Sequence, residues 1–118
     1  MSETETPAPV DLSRIQAAAG GDRGFERELF EIYLCDTEER LLNLELLLRQ
    51  EDAAAFRREV HTVKGASASV GAAQMARLAR TLEETAPNSE AGQALMRDLH
   101  AEFARLRVFL ANYLAALG

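Results

Sequence analysis

Residues 59–71 read EVHTVKGASASVG, and three of them could do chemistry together. His61 is an imidazole, able to act as a nucleophile or a proton acceptor near neutral pH. Lys64 and Gly65 follow at +3 and +4, the spacings that share a helical face with it, and Arg57 precedes it at −4. A glycine inside a helix costs about 1 kcal/mol relative to alanine. This chain uses alanine freely, and its one lysine, beside twelve arginines, is Lys64. An imidazole flanked by cations, with bare space on its C-terminal side, suits the approach of a bulky anionic group. An ordinary surface histidine would need neither neighbour.

The elements around the histidine must turn it outward. Ala53, Phe56, Val60, Val63, Ser67 and Val70 alternate steps of three and four, one face of a helix that Asp52 can cap and Gly71 can stop. At about 100° per residue, His61 points away from that stripe. A long helix over roughly 22–50, opened by Asp22, carries Phe30, Leu34, Thr37, Leu41, Leu44 and Leu48 at the same spacing. A helix over roughly 72–86 offers Met75, Leu78 and Leu82. After the turn APNSE, with Asn88 or Ser89 as cap, a last helix over roughly 90–117 offers Leu95, Leu99, Phe103, Leu106, Leu110, Tyr113 and Leu117. Asp11 can cap a short helix over roughly 11–19 that Gly20 and Gly21 end, and residues 1–10 are predicted to be a disordered acidic tail. Short connections between amphipathic helices favour antiparallel neighbours. The predicted fold is all-α: an antiparallel up-down four-helix bundle over 11–118, with a short additional N-terminal helix.

Composition narrows the function. With 118 residues, 47% of them apolar, the chain is long enough for one domain with a continuous core. A net charge of −6 argues against nucleic acid as partner. Residues 57–80 run the other way, with Arg57, Arg58, Lys64, Arg77 and Arg80 against Glu59 alone, a balance of +4 within a chain otherwise at −10. That local surface suits an anionic ligand or an acidic protein site. No apolar run is long enough for a membrane span, and the acidic start lacks the features of a signal peptide. A single cysteine, Cys35, fits a reducing cytoplasm and is expected to be a packed thiol. His100 has neither lysine at +3 nor glycine at +4 and is expected to be a plain surface or boundary residue.

HTVKGASASVGA resembles the signature of histidine-containing phosphotransfer (HPt) domains: His, two residues, Lys-Gly, a run of small residues, an aliphatic residue and Gly. The resemblance extends over about residues 11–117 and includes the leucines 41, 42, 44 and 47 of the long helix, Asp52, and RLARTLE at 77–83. It implies that His61 is the phosphoacceptor, Lys64 the cation beside it, and Gly65 the space-maker. Ala66, Ser67 and Ala68 would be small residues allowing close approach, and Glu83 the counterpart of a Gln or Glu that supports the imidazole in many members. Ala66 stands where members often carry serine, so no hydroxyl partner is present there.

The resemblance further implies a bacterial phosphorelay protein that shuttles a phosphoryl group between aspartates of response-regulator receiver domains. A hybrid sensor kinase would stand upstream, and Mg²⁺ would be supplied by the receiver, with no cofactor or metal of this chain's own. Arg57, Ala68, Arg77 and Arg80 would meet the partner. The protein is expected to be a cytoplasmic monomer, although the apolar end VFLANYLAAL leaves a dimer open. No Walker loop occurs, since GGDRG lacks the Lys-Ser/Thr ending and a preceding strand, so no kinase activity of its own is expected. Neither histidine has a glutamate three residues earlier, which argues against a di-iron bundle. Two alternatives remain: a helical module that binds receiver-like partners without accepting phosphate, and the phosphoacceptor domain of a larger hybrid kinase. The initiating Met and acidic tail favour a free-standing protein over the latter.

Overall fold

The computed structural model describes residues 7–118. Among them five helices and no strand occur: α1 (Ser13–Ala19), α2 (Arg23–Arg49), α3 (Ala53–Ser69), α4 (Ala73–Glu83) and α5 (Glu90–Leu117). Three of the four bundle helices start where a side chain can accept a free backbone N–H. Asp22 accepts from Phe25 (3.0 Å), Asp52 from Ala55 (3.1 Å) and Ser89 from Gly92 (3.0 Å). α4 has no such cap, beginning after Ala72, and it ends at Glu83, three residues short of the predicted 86. On α1 the capping residue is Leu12. Asp11 stands one residue earlier and accepts from the Ser13 amide and hydroxyl at 3.1 and 2.7 Å.

α2 to α5 pack in chain order as an up-down bundle, with α5 returning against α2 and α1 resting on α2. Polar cross-links give the antiparallel register: Glu38 to Arg107 and Glu45 to His100 between α2 and α5, Tyr33 to Ser67 and Arg40 to Glu59 between α2 and α3. The predicted stripe of α3 is the observed one in its centre, with Phe56, Val60, Val63 and Ser67 fully buried, while Ala53 at its start is exposed. On α2, Phe30, Thr37, Leu41 and Leu44 are buried, but Leu34 and Leu48 are only half so. Tyr33 takes the inner position beside Phe30, because its hydroxyl pairs with Ser67 Oγ at 2.7 Å and so satisfies two buried polar groups at once. That burial pushes the Tyr33 phenol up to about 12. On α5 the inner face runs through Met96 and Leu114 rather than Leu95, Tyr113 and Leu117.

Two expectations need correction. The predicted disordered tail does not reach residue 10. Pro9 and Val10 are buried, and the Asp11 amide donates to the Gly71 carbonyl at 2.8 Å. Residues 1–6 of that tail lie outside the described residues. Cys35 is not packed but exposed, since it sits on the face of α2 opposite Phe30 and Thr37.

Gly71 is where the N-terminal segment and the end of α3 meet. It has φ +82°, and a Cβ there would stand 2.3 Å from the Asp11 carbonyl oxygen. Both strain and contact require glycine, and each such feature costs on the order of 1–3 kcal/mol. Gly71→Ala is therefore expected to lower the unfolding free energy by roughly 2 kcal/mol or more. Chemical denaturation should show a lower midpoint at an unchanged slope.

Candidate functional site

Burial of Val60 and Val63 leaves His61 on the outer side of α3, its side chain 65% exposed. Lys64 and Gly65 lie one turn further on the same side, as their spacing requires. What α3 alone cannot supply comes from α4. Ala79 and Leu82 are fully buried, and they bring Glu83, in the last turn of α4, across to α3.

The Glu83 carboxylate bridges the two α3 side chains. Its Oε2 lies 2.9 Å from His61 Nδ1, and its Oε1 accepts from Lys64 Nζ at 2.9 Å. The ion pair with Lys64 first, and the contact with His61 after it, hold the Glu83 carboxyl below its ordinary range. An ionised carboxylate only accepts hydrogen bonds, so Nδ1 carries the proton and donates it. In the neutral ring that tautomer leaves Nε2 with its lone pair and no hydrogen bond to the described residues, on a side chain that is mostly exposed. The geometry presents a nucleophilic nitrogen whose other nitrogen is clamped. Lys64 is thus not a bare cation beside the imidazole, since Glu83 already neutralises it.

The space beside the ring is open. A Cβ built on Gly65 meets nothing within 4 Å, and its φ is not positive, so neither packing nor backbone demands glycine there. A shallow hollow lined by Arg57, Lys64, Gly65, Ala68, Arg80, Glu83 and Glu84 adjoins a second one against His61, Arg58 and Thr62. The structure therefore gathers Arg57, Ala68 and Arg80 around the predicted centre. Arg77 lines neither hollow and bonds to Gln74 in its own helix. Glu59, the one acid of the basic stretch, is held by Arg40 (2.5 Å) and Asn43 (2.5 Å) on the α2 side. Arg58 shares the face of His61 at −3, a signal present in the sequence. Glu84 enters the hollow only through the crossing of α4 on α3 and carries no signal in the chain. His100 is also paired, with Glu45 at 2.9 Å, but no lysine or glycine stands beside it. Among the described residues no group of three or more His, Cys, Asp or Glu is arranged to hold a metal ion.

A family model described as the Hpt domain matches residues 28–109. The crystal structure of histidine-containing phosphotransfer protein B (HptB) from Pseudomonas aeruginosa PAO1 is similar to this chain at a TM-score of 0.84 and 26% sequence identity. The match covers 94% of this chain and 98% of that one. No curated protein sequence matches.

Two expectations follow from the geometry. Gly65→Ala should stabilise the protein by roughly 0.4–1 kcal/mol, through helix propensity and a less flexible unfolded chain. Gly65→Gln should melt no lower than the parent yet crowd the ring, so thermal melts of both variants check the reading. The second concerns Glu83. A carboxyl held low in the folded state stabilises it above the ordinary carboxylate range, and that contribution disappears as pH falls through the folded value. Glu83→Gln should therefore melt below the parent at neutral pH, and the gap should close in acid.

Proposed function

Because the chain belongs to the Hpt domain family of phosphorelay phosphotransfer proteins, we propose that His61 is its phosphoryl carrier, acting through Nε2. The observation that carries this is the Glu83 bridge, which clamps Nδ1 and leaves the other ring nitrogen free on a mostly exposed side chain. Hpt domains interact with receiver domains. In this reading the incoming group is an aspartyl phosphate in an acidic receiver pocket, with Mg²⁺ supplied by the receiver.

Nε2 attacks phosphorus in line, the bond from phosphorus to the aspartate oxygen breaks, and the aspartate leaves as carboxylate. The proton on Nδ1 stays in its hydrogen bond to Glu83, which faces the positive charge that develops on the ring. Lys64, bound to Glu83 in the resting protein, would turn part of its charge to the phosphoryl group as that group arrives, and bare Gly65 leaves room for the receiver. Little covalent chemistry is asked of the protein, so positioning and electrostatics supply most of the rate. Transfer to a second receiver runs the same steps backward.

Arg57 and Arg80 flank the hollow and would steer the acidic receiver face, with Ala68 keeping that surface flat. Arg77, from its position outside the hollow, would contribute less. We further propose that the protein works in the cytoplasm between a hybrid sensor kinase and a response regulator. Among the described residues no helix is long and apolar enough to cross a membrane, which is compatible with that setting.

Phosphorylation by a receiver or a small acyl phosphate, followed by mapping of the acid-labile label, tests the assignment. His61→Gln should stay folded and take no label, while His100→Gln should label normally. Label persisting on the His61→Gln protein would overturn the assignment. Reversal of Arg57 or Arg80 to Glu should slow transfer more at low than at high ionic strength, and Arg77→Glu should do so less.

A further inference from the structure

The charged side chains around His61 fall into two groups. Glu59 is held by Arg40 and Asn43, and Glu83 by Lys64 and His61, so both carboxylates are occupied within the chain. Arg57, Arg58, Arg80 and Glu84 are exposed, and among the described residues none of them forms an ion pair. Arg57, Arg80 and Glu84 line the same hollow beside Gly65, and Arg58 lines the adjoining one against His61. A protein docking on His61 therefore meets three free cations and, in the hollow itself, one free anion.

Glu84 stands where the fold supports it least. It is the C-cap of α4, the helix end at which backbone carbonyls gather negative partial charge and disfavour a carboxylate. Glu83, in the last turn, has the same handicap, but the Lys64 ammonium at 2.9 Å offsets it. Arg80, four residues before Glu84, forms no ion pair with it, and a base placed N-terminal to an acid is the weaker order for such a pair. Glutamine or lysine would suit this helix end better. A local rule broken beside the reactive side chain, with no compensation inside the chain, points to a partner.

We infer that Glu84 determines which receiver the protein accepts, a step that rests on the phosphotransfer reading of His61. A receiver with a wholly acidic docking face gains from Arg57 and Arg80 but sets a like charge against Glu84, which opposes docking. A receiver that places one lysine or arginine opposite Glu84, among acids opposite the arginines, gains from every charge. The favoured partner is thus a receiver of mixed charge, with a cation in the patch that covers the end of α4. Arg57 and Arg80 by themselves attract any acidic receiver. The discriminating charge is the one of opposite sign. Glu84 makes no bond to the His61 ring, so it acts on docking rather than on transfer.

Transfer to Glu84→Lys and Glu84→Gln proteins from a panel of phosphorylated receivers tests this, with acetyl phosphate as a donor that has no docking face. Both variants should melt no lower than the parent, since an acid has left a helix C-terminus. With the parent's fastest receiver at low ionic strength, Glu84→Lys should lose on the order of tenfold in kcat/KM. It should gain with wholly acidic receivers, and salt should shrink both effects. Labelling by acetyl phosphate should change far less. Reversing the facing cation of the fastest receiver to Glu should restore its transfer to the Glu84→Lys protein. A panel ranked as for the parent would overturn the proposal while leaving His61 as the carrier. A Glu84→Gln protein that melts below the parent would also overturn it, by showing that the carboxylate serves the fold. A parent that takes no label on His61 from any of these donors would overturn both readings.

Discussion

Burial of Phe56, Val60, Val63 and Ser67 along the inner side of α3 governs the chemistry on its outer side. Each large apolar side chain taken fully from water is worth about 1.5–3 kcal/mol. Rotating α3 by a single residue would expose three of them, so the helix has one tenable orientation. His61, Lys64 and Gly65 inherit their outward placement from that constraint without any contact of their own. The same burial brings Ser67 against Tyr33, a polar pair inside an apolar seam that ties α3 to α2 in one register.

The site itself is an arrangement of charge rather than a cavity. A single carboxylate serves two tasks, orienting an imidazole through one oxygen and holding an ammonium through the other. Glutamate suits both, because its two oxygens can each accept from a different donor. An exposed ion pair of this kind contributes little to stability. Its value lies in geometry: it fixes the tautomer of a side chain that would otherwise rotate freely in solvent. The surface around the ring is shallow and open, lined by the side chains of α3 and α4.

The bundle also divides its labour between its sides. α3 and α4 carry the basic, apolar-poor surface around His61, while α2 and α5 carry the exposed hydrophobic residues. Long helices with apolar residues on two faces are difficult to interpret from one chain, because periodicity reports that a face wants a neighbour without saying which neighbour takes it. On α2 one face meets the core, while the opposite face, which mixes Ile32, Cys35 and Leu42 with Glu28 and Glu39, meets solvent. Cys35 belongs to that second face, which is why an apolar position in a long helix proved to be exposed.

Local pattern by itself determined the helices, most of their caps, the inner stripe of α3, and hence the outward direction of His61. These follow from hydrogen-bonding needs at helix ends and from a 3.6-residue period, both of which act within one segment. The resemblance carried by His61, Lys64 and Gly65 identified the family before any coordinate was known, because those residues lie within one turn and their relation is set by the helix alone. Only the tertiary structure decided that Glu83 reaches both His61 and Lys64, that Arg80 joins Arg57 at the hollow while Arg77 does not, and that Tyr33 rather than Leu34 turns inward. It also decided that Val10 belongs to the core. Each of these depends on how far one helix slides and turns against another. That offset is set by the summed packing of many side chains, which no single segment encodes.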